Sequence, residues 1–430
     1  MRLKAYFTCI ALLSFVLSAA GENVIFDKFF CDSTLRLDYT FTGNAGQQMI
    51  GLKNKFVTEN WAGRRHNLQN LPLKGNGELI MTDSISGKVI YATSFSSLFL
   101  EWLDTDEAKS TTMSMEHTVL VPMPKRTAMI CVKLYNHRGE TTSVTCHPLR
   151  PDDILIRRPD TGHTTPHKYI HYSGSPKDKI DVAILGEGYS KEETDSFYVH
   201  AQKAVNSILS HEPFKSMADR FNFVAVESVS EDSGLSSPSE YVWKRTCFDS
   251  HYDTFYSKRY LTTTSTSLIH DVLIGIPYEH IIILANTDQY GGGGIYNSYT
   301  LTTAKNPNFW PVVTHEFGHS FGGLADEYFY DHQDVMQDTY PLDIEPWEQN
   351  VTTLVDFKSK WADMIDKDTP IPTPVTEENT YKVGVYEGAA YATKGVYRPL
   401  DRCRMRDNKV DYFCPVCQRA ISRIIKFYTE

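Results

Sequence analysis

The sequence predicts an α+β protein in two parts, an N-terminal β-sandwich followed by a layered α/β domain that carries the chemistry. Three observations predict it. Near the start, Leu35, Leu37, Tyr39 and Phe41 alternate with Thr34, Arg36, Asp38 and Thr40, the period-two pattern of a strand with one buried face. Beyond residue 169, mostly apolar runs such as 180–185 and 280–285 alternate with helical stretches, the pattern of buried strands linked by helices. At 315–319 two histidines stand four residues apart, so on a helix both imidazoles leave the same face, one turn apart.

Composition narrows the class. At 430 residues the chain has room for two or three domains, and 41% hydrophobic with 22% charged residues is a globular balance. The formal charge of -10 argues against nucleic acid or an anionic membrane surface as partner, because phosphates would be repelled and no basic block compensates. Residues 1–20 read as an export signal: Arg2 and Lys4 precede the apolar run 5–17, and Ser18-Ala19-Ala20 offers a small-residue cleavage site. That run is too short to span a bilayer well, so no transmembrane segment is expected and the mature chain is exported.

Residues 21–150 form the expected β-sandwich domain. After the first strand, Leu79-Ile80-Met81 and Val89-Ile90-Tyr91 flank a turn over 83–87 and read as a hairpin. Residues 117–121 and 128–135 add two strands, and a turn at 136–139 sends the chain back through Val144. That turn sets Cys131 opposite Cys146, a plausible disulfide in an oxidising compartment. No acid pair or metal cluster stands out in this part, so it reads as a structural or substrate-docking module. Pro148, Pro151, Pro159 and Pro166 then mark a boundary, with 151–168 as linker.

The segment 169–430 is the expected catalytic domain. Residues 180–185 form a buried strand, and Ser190 with Glu193 makes a capping box opening a helix whose apolar stripe is Phe197, Ala201, Ala204, Val205, Ile208 and Leu209. Residues 221–229 and 280–285 are two further strands. Gly186-Glu187-Gly188 lacks the third glycine of a dinucleotide loop, Lys191 standing in its place, and reads as a tight turn. The glycine run 291–294 reads as a loop leading into an edge strand that could pair with extended substrate.

The chemistry concentrates in Thr314-His315-Glu316-Phe317-Gly318-His319-Ser320. His315 and His319 can chelate one Zn²⁺, and Glu316 beside them can act as general base on a zinc-activated water. Gly322-Gly323 then breaks the helix, and Asp326 follows as an acceptable third ligand. Far downstream, Met405 is a candidate for an apolar floor beneath the metal, an ordinary core methionine being the alternative. Cys403, Cys414 and Cys417 cluster near the end. A second zinc on Cys414-Pro415-Val416-Cys417 is the alternative, but a full set of four ligands is missing nearby, so a structural bridge or buried thiols are expected. Residues 417–428 read as a final amphipathic helix.

The string from His315 to Tyr328 resembles the IgA-peptidase (igalysin) family of secreted bacterial zinc metallopeptidases. Leu185-Gly186-Glu187-Gly188-Tyr189, Val385-Tyr386-Glu387-Gly388-Ala389, Cys403-Arg404-Met405-Arg406 and Phe413-Cys414-Pro415-Val416-Cys417 resemble it too, and the β-rich front is similar to the N-terminal domain of gut-bacterial members. The resemblance implies a zincin-type, metzincin-like catalytic domain and a bacterial source, the protein being secreted, periplasmic or at the cell surface. It implies His315 and His319 as ligands and Glu316 as base. The usual metzincin spacing counted from Gly322 falls on Ala325, which cannot bind zinc, whereas counted from Gly323 it falls on Asp326; Glu327 is the runner-up. The expected activity is a zinc endopeptidase acting on an extracellular protein or glycoprotein, with host immunoglobulin or mucosal proteins as candidate substrates. The rival is a surface protein that binds host glycoproteins and keeps a vestigial site, against which the intact Glu316 speaks.

Overall fold

A computed structural model describes residues 23–329 and 340–430; the expected export signal lies outside them. The protein is α+β. After a single helical turn, α1 (Phe26–Phe29), the long strand β1 (Phe30–Asn44) pairs antiparallel with β2 (Gln47–Glu59) and later with β5 (Met113–Pro124), giving a three-stranded sheet of order β2-β1-β5. Between them the chain builds β3 (Gly77–Asp83), β4 (Val89–Phe95) and the short helix α2 (Leu98–Trp102). With β6 (Ala128–Tyr135) and β7 (Thr141–Leu149) these strands make a second antiparallel sheet, β4-β3-β6-β7. The alternation read from sequence is what buries one side of each: Leu35, Leu37 and Phe41 meet Leu79, Met81, Ile130 and Val132 in one hydrophobic cluster. Cys131 pairs directly with Cys146 across β6 and β7, and the two are disulfide-bonded.

The second part is centred on a six-stranded sheet of order β12-β13-β11-β9-β10-β8. Its strands are β8 (His167–His171), β9 (Ile180–Glu187), β10 (Phe221–Val226), β11 (His280–Ala285), β12 (Gly292–Ile295) and β13 (Tyr299–Thr303). β9, β10, β11 and β13 run parallel, while the edge strands β8 and β12 are antiparallel to their neighbours. β10 ends at Val226, short of the 221–229 expected. The capping box of Ser190 and Glu193 is present, and it opens a short 3₁₀ turn before helix α3 (Thr194–Leu209). Two further helices complete the central part, α4 (Thr266–Val272) and α5 (Phe309–Ser320), the latter carrying the two histidines. A small hairpin, β14 (Tyr386–Ala389) with β15 (Ala392–Arg398), and the terminal helix α6 (Pro415–Thr429) complete the chain.

A mostly parallel sheet must be covered on both faces, and here the two covers differ. Ile180, Val182 and Ile184 of β9 face helices α3, α5 and α6 in one core with Phe197, Phe317 and Ile421. Ala183 and Leu185, one residue out of phase, join the cluster that contains the N-terminal strands. The β-rich front is therefore the second cover of the six-stranded sheet. Buried Arg36 reinforces the join, reaching Asp271 at 2.6 Å and the Ser267 carbonyl at 3.0 Å on α4. Among the described residues no helix is long and apolar enough to cross a membrane.

Candidate metal centre

Helix α5 positions the histidines. Its buried side, Phe309, Val313 and Phe317, packs into the core, and Ser207 of α3 anchors it by donating to the Trp310 carbonyl at 2.6 Å. Met405 is fully buried beneath it, with its sulfur in the space that a side chain at Gly318 would need. The helix stops at a left-handed residue, Gly323 (φ +55°), whose N–H bonds to the His319 carbonyl at 2.9 Å. The chain turns back there, the Leu324 N–H bonding to the Gly318 carbonyl at 3.1 Å.

That reversal brings three donors together. His315 Nε2 lies 3.0 Å from Asp326 Oδ1, His319 Nε2 lies 3.2 Å from the same oxygen, and the two Nε2 atoms are 3.1 Å apart. The outer nitrogens settle the tautomers. His315 Nδ1 donates to the Arg404 carbonyl at 3.0 Å and His319 Nδ1 donates to the Leu324 carbonyl at 2.5 Å. A carbonyl can only accept, so both Nδ1 atoms carry hydrogen and both Nε2 atoms turn toward each other and toward a carboxylate. Three such atoms converging on one point call for a cation among them, a proton in the metal-free chain or a metal ion in its place. Two imidazole nitrogens and a carboxylate oxygen are three donors of the kind a zinc ion takes from protein.

The electrostatics agree with this geometry. Burial would raise the Asp326 carboxyl, yet the two histidines hold it well below the usual range. In the metal-free chain burial would lower His319, but the charge and hydrogen bond of Asp326 raise it to about 9. Glu316 is pushed up by burial and by Asp326, against the pull of the histidines.

The surroundings include groups that sequence reasoning missed. Tyr391 donates to Asp326 Oδ2 at 2.5 Å, and the Ala390 N–H bonds to the Asp326 carbonyl at 2.9 Å. Tyr391 and Ala390 both sit in the left-handed region, at φ 68° and 50°, a strain that the packing around Asp326 must hold in place. Nothing in the local sequence marked Tyr391, which lies 65 residues downstream of the carboxylate it supports. Glu101 of α2 accepts from Tyr260 and feels the charges of Glu316 and His319, so the N-terminal part reaches this centre; burial pushes its carboxyl up to about 7.

The glycine run departs from expectation: it is itself the edge strand β12, and the following 299–303 segment is the inner strand β13. The cause is contact with α5. A side chain at Gly294 would stand 2.3 Å from the Glu316 carbonyl oxygen and 2.9 Å from the His319 Cβ, so only a bare backbone can lie there. Part of the outer rim is occupied, since Gly292 pairs with Tyr260. Glu327, the runner-up ligand, points away from the histidines into a separate cluster with Cys403, Cys414 and Cys417. Those cysteines are buried thiols rather than a bridge, and α6 begins at Pro415, two residues earlier than expected.

Comparison with known proteins follows the same division of the chain. Residues 169–382 and 375–425 match the model of the family described as IgA peptidase M64, and residues 25–145 match that described as Peptidase M64 N-terminus. No curated protein matches the chain. Among solved structures it is similar to metalloproteinase-II from Bacteroides fragilis, at 11% identity over 59% of this chain and 84% of that one. The TM-score of 0.21 is too low to argue from.

Proposed function

Since the chain belongs to the IgA peptidase M64 family, we propose that it is a zinc-dependent endopeptidase, exported from a bacterium, that hydrolyses extracellular proteins. In this reading His315, His319 and Asp326 hold the zinc, Glu316 is the general base, and the architecture is a β-sandwich backing a zincin-type domain. The observation that carries it is the convergence of two inward-turned imidazole nitrogens and one carboxylate oxygen within 3.0–3.2 Å.

Zinc held there would supply Lewis acidity toward the scissile carbonyl and bring the pKa of a bound water to about 7. The chain's own residues do the rest. Glu316 sits on the same helix as both histidines, one residue past the first, with its side chain beside β12. Its raised pKa keeps it basic enough to take the proton of the attacking water and to return it to the leaving amine. Tyr391 holds the Asp326 carboxylate in place, and the Arg404 and Leu324 carbonyls fix both imidazoles with Nε2 inward. Immunoglobulin A and mucosal glycoproteins are the substrates to try first, on the family name alone.

Glu316→Ala tests the assignment. The variant should keep its zinc at the histidines while cleavage of immunoglobulin A, mucin-type proteins or casein falls ~10²–10⁴-fold. Undiminished cleavage would remove Glu316 from the mechanism.

A further inference from the structure

We propose that Cys403, Cys414, Cys417 and Glu327 form a second metal site, a closed structural zinc centre that braces the first. The four donors lie within 4.8 Å of one another and all four residues are buried. Cys403 Sγ and Cys417 Sγ are 3.7 Å apart, against the ~3.8 Å edge of a tetrahedron with zinc–sulfur bonds of about 2.3 Å. Cys417 Sγ lies 3.1 Å from Glu327 Oε1. Sequence reading found no fourth ligand because Glu327 stands 90 residues ahead of Cys417 in the chain.

The surroundings are those of anionic sulfur. The Cys414 N–H points at Cys403 Sγ at 3.2 Å and the Cys417 N–H at Cys414 Sγ at 3.5 Å. Cys414 caps the N-terminus of α6, a 15-residue helix whose dipole favours negative charge at that end. Glu327 is wholly buried. Its Oε1 accepts from Asn350 at 2.9 Å, but its Oε2 is buried with no hydrogen-bond partner. An unpartnered carboxylate oxygen in a dry pocket beside three thiols is costly unless a cation meets it. A disulfide between any two of the cysteines would leave the third thiol and Glu327 still facing each other. A tetrahedral ion uses all four donors, and a thiolate-rich set without an open position suits structural zinc. On binding, Zn²⁺ replaces the protons of the three thiols and of Glu327 where it carries one, and these pass to solvent.

The bracing follows from connectivity. Glu327 is the residue after Asp326, and its N–H bonds to the Met405 carbonyl at 2.9 Å. Cys403 opens the turn whose next residue, Arg404, offers the carbonyl that orients His315. An ion at the cluster would thus pin together the Asp326 segment, the turn under the histidines and helix α6.

Cobalt substitution of the full-length mature chain tests this without depending on the peptidase reading, because the His315, His319 and Asp326 set contains no sulfur. Cobalt-loaded protein should show thiolate-to-cobalt charge transfer in the near-ultraviolet. The band should persist in the His315→Ala/His319→Ala double variant, which should still retain one zinc per chain when grown on zinc. Cys417→Ser should lose that zinc; if the variant does not fold, the cobalt spectrum of the unaltered chain decides. Bound cobalt with no thiolate band would overturn the site. So would a disulfide among these cysteines, mapped by mass spectrometry in protein purified without reductant.

Discussion

Asp326 and Glu327 are consecutive carboxylates with opposite surroundings. Asp326 turns one oxygen to two imidazoles and the other to Tyr391. Glu327 is wholly buried against Asn350 and three thiols. The histidines hold the first well below the usual carboxylate range, whereas burial, with Cys403 adding to it, pushes the second well above. The backbone explains the split. The two side chains leave the backbone toward different partners, Asp326 toward the histidines and Glu327 toward the thiols. A choice between neighbouring acids that looks like a matter of counting is decided by the hand of a single turn.

The strongest test exchanges the two roles. Asp326→Ala should empty the histidine site and reduce cleavage by well over the ~100-fold typical of losing an outer partner, while Glu327→Gln should leave zinc on the histidines. Metal content by mass spectrometry, measured beside activity, checks both. If Glu327→Gln empties the histidine site and Asp326→Ala spares it, the assignment is reversed. A smaller effect sharpens the same contrast. Tyr391→Phe removes the bond to Asp326 Oδ2 together with the 3.3 Å contact to the Tyr328 hydroxyl, so zinc affinity at the histidines should fall ~10–100-fold. Competition against a chelator measures this, and the thiolate–cobalt band should not move.

How much of this was legible in the sequence follows from the range over which each signal acts. His315, Glu316 and His319 were legible because a helix turns a spacing of four directly into a shared face. The strands through 34–41 and 280–285 were legible because alternation or a continuous apolar run maps onto burial, though the first extends in both directions to 30–44. Tyr391, Glu101 and the thiol partner of Glu327 were not, because each is brought in by tertiary packing from a distant segment. The glycine run was half legible: its composition reads as a loop, yet the bare backbone exists so that β12 can lie against Glu316 and His319. The β-rich front carries no chemical motif, and its role as the second cover of the catalytic sheet becomes visible only where Ala183 and Leu185 join its core.

The smallest expected effect is a slope with pH, and it again separates the two acids. In the metal-free chain His319 titrates at about 9, burial being outweighed by the charge and hydrogen bond of Asp326. A histidine raised above its unfolded value of about 6.5 contributes stability that is full below that pH and fades as pH rises through about 9. Across that window the metal-free protein should lose stability by at most ~1.4 kcal/mol per pH unit from this group. Zinc on the imidazoles takes the proton's place, so the loaded protein should lack the slope, and zinc uptake should release a proton at pH 7–8. Thermal melts of chelator-treated and loaded protein from pH 6.5 to 9.5 would measure it. Asp326→Ala should flatten the metal-free curve, because it removes the charge that holds the proton, and Glu327→Gln should leave the slope in place. Equal slopes in the Asp326→Ala variant and the unaltered chain would mean that the proton is not held by Asp326, and the contrast between the two carboxylates would lose its electrostatic half.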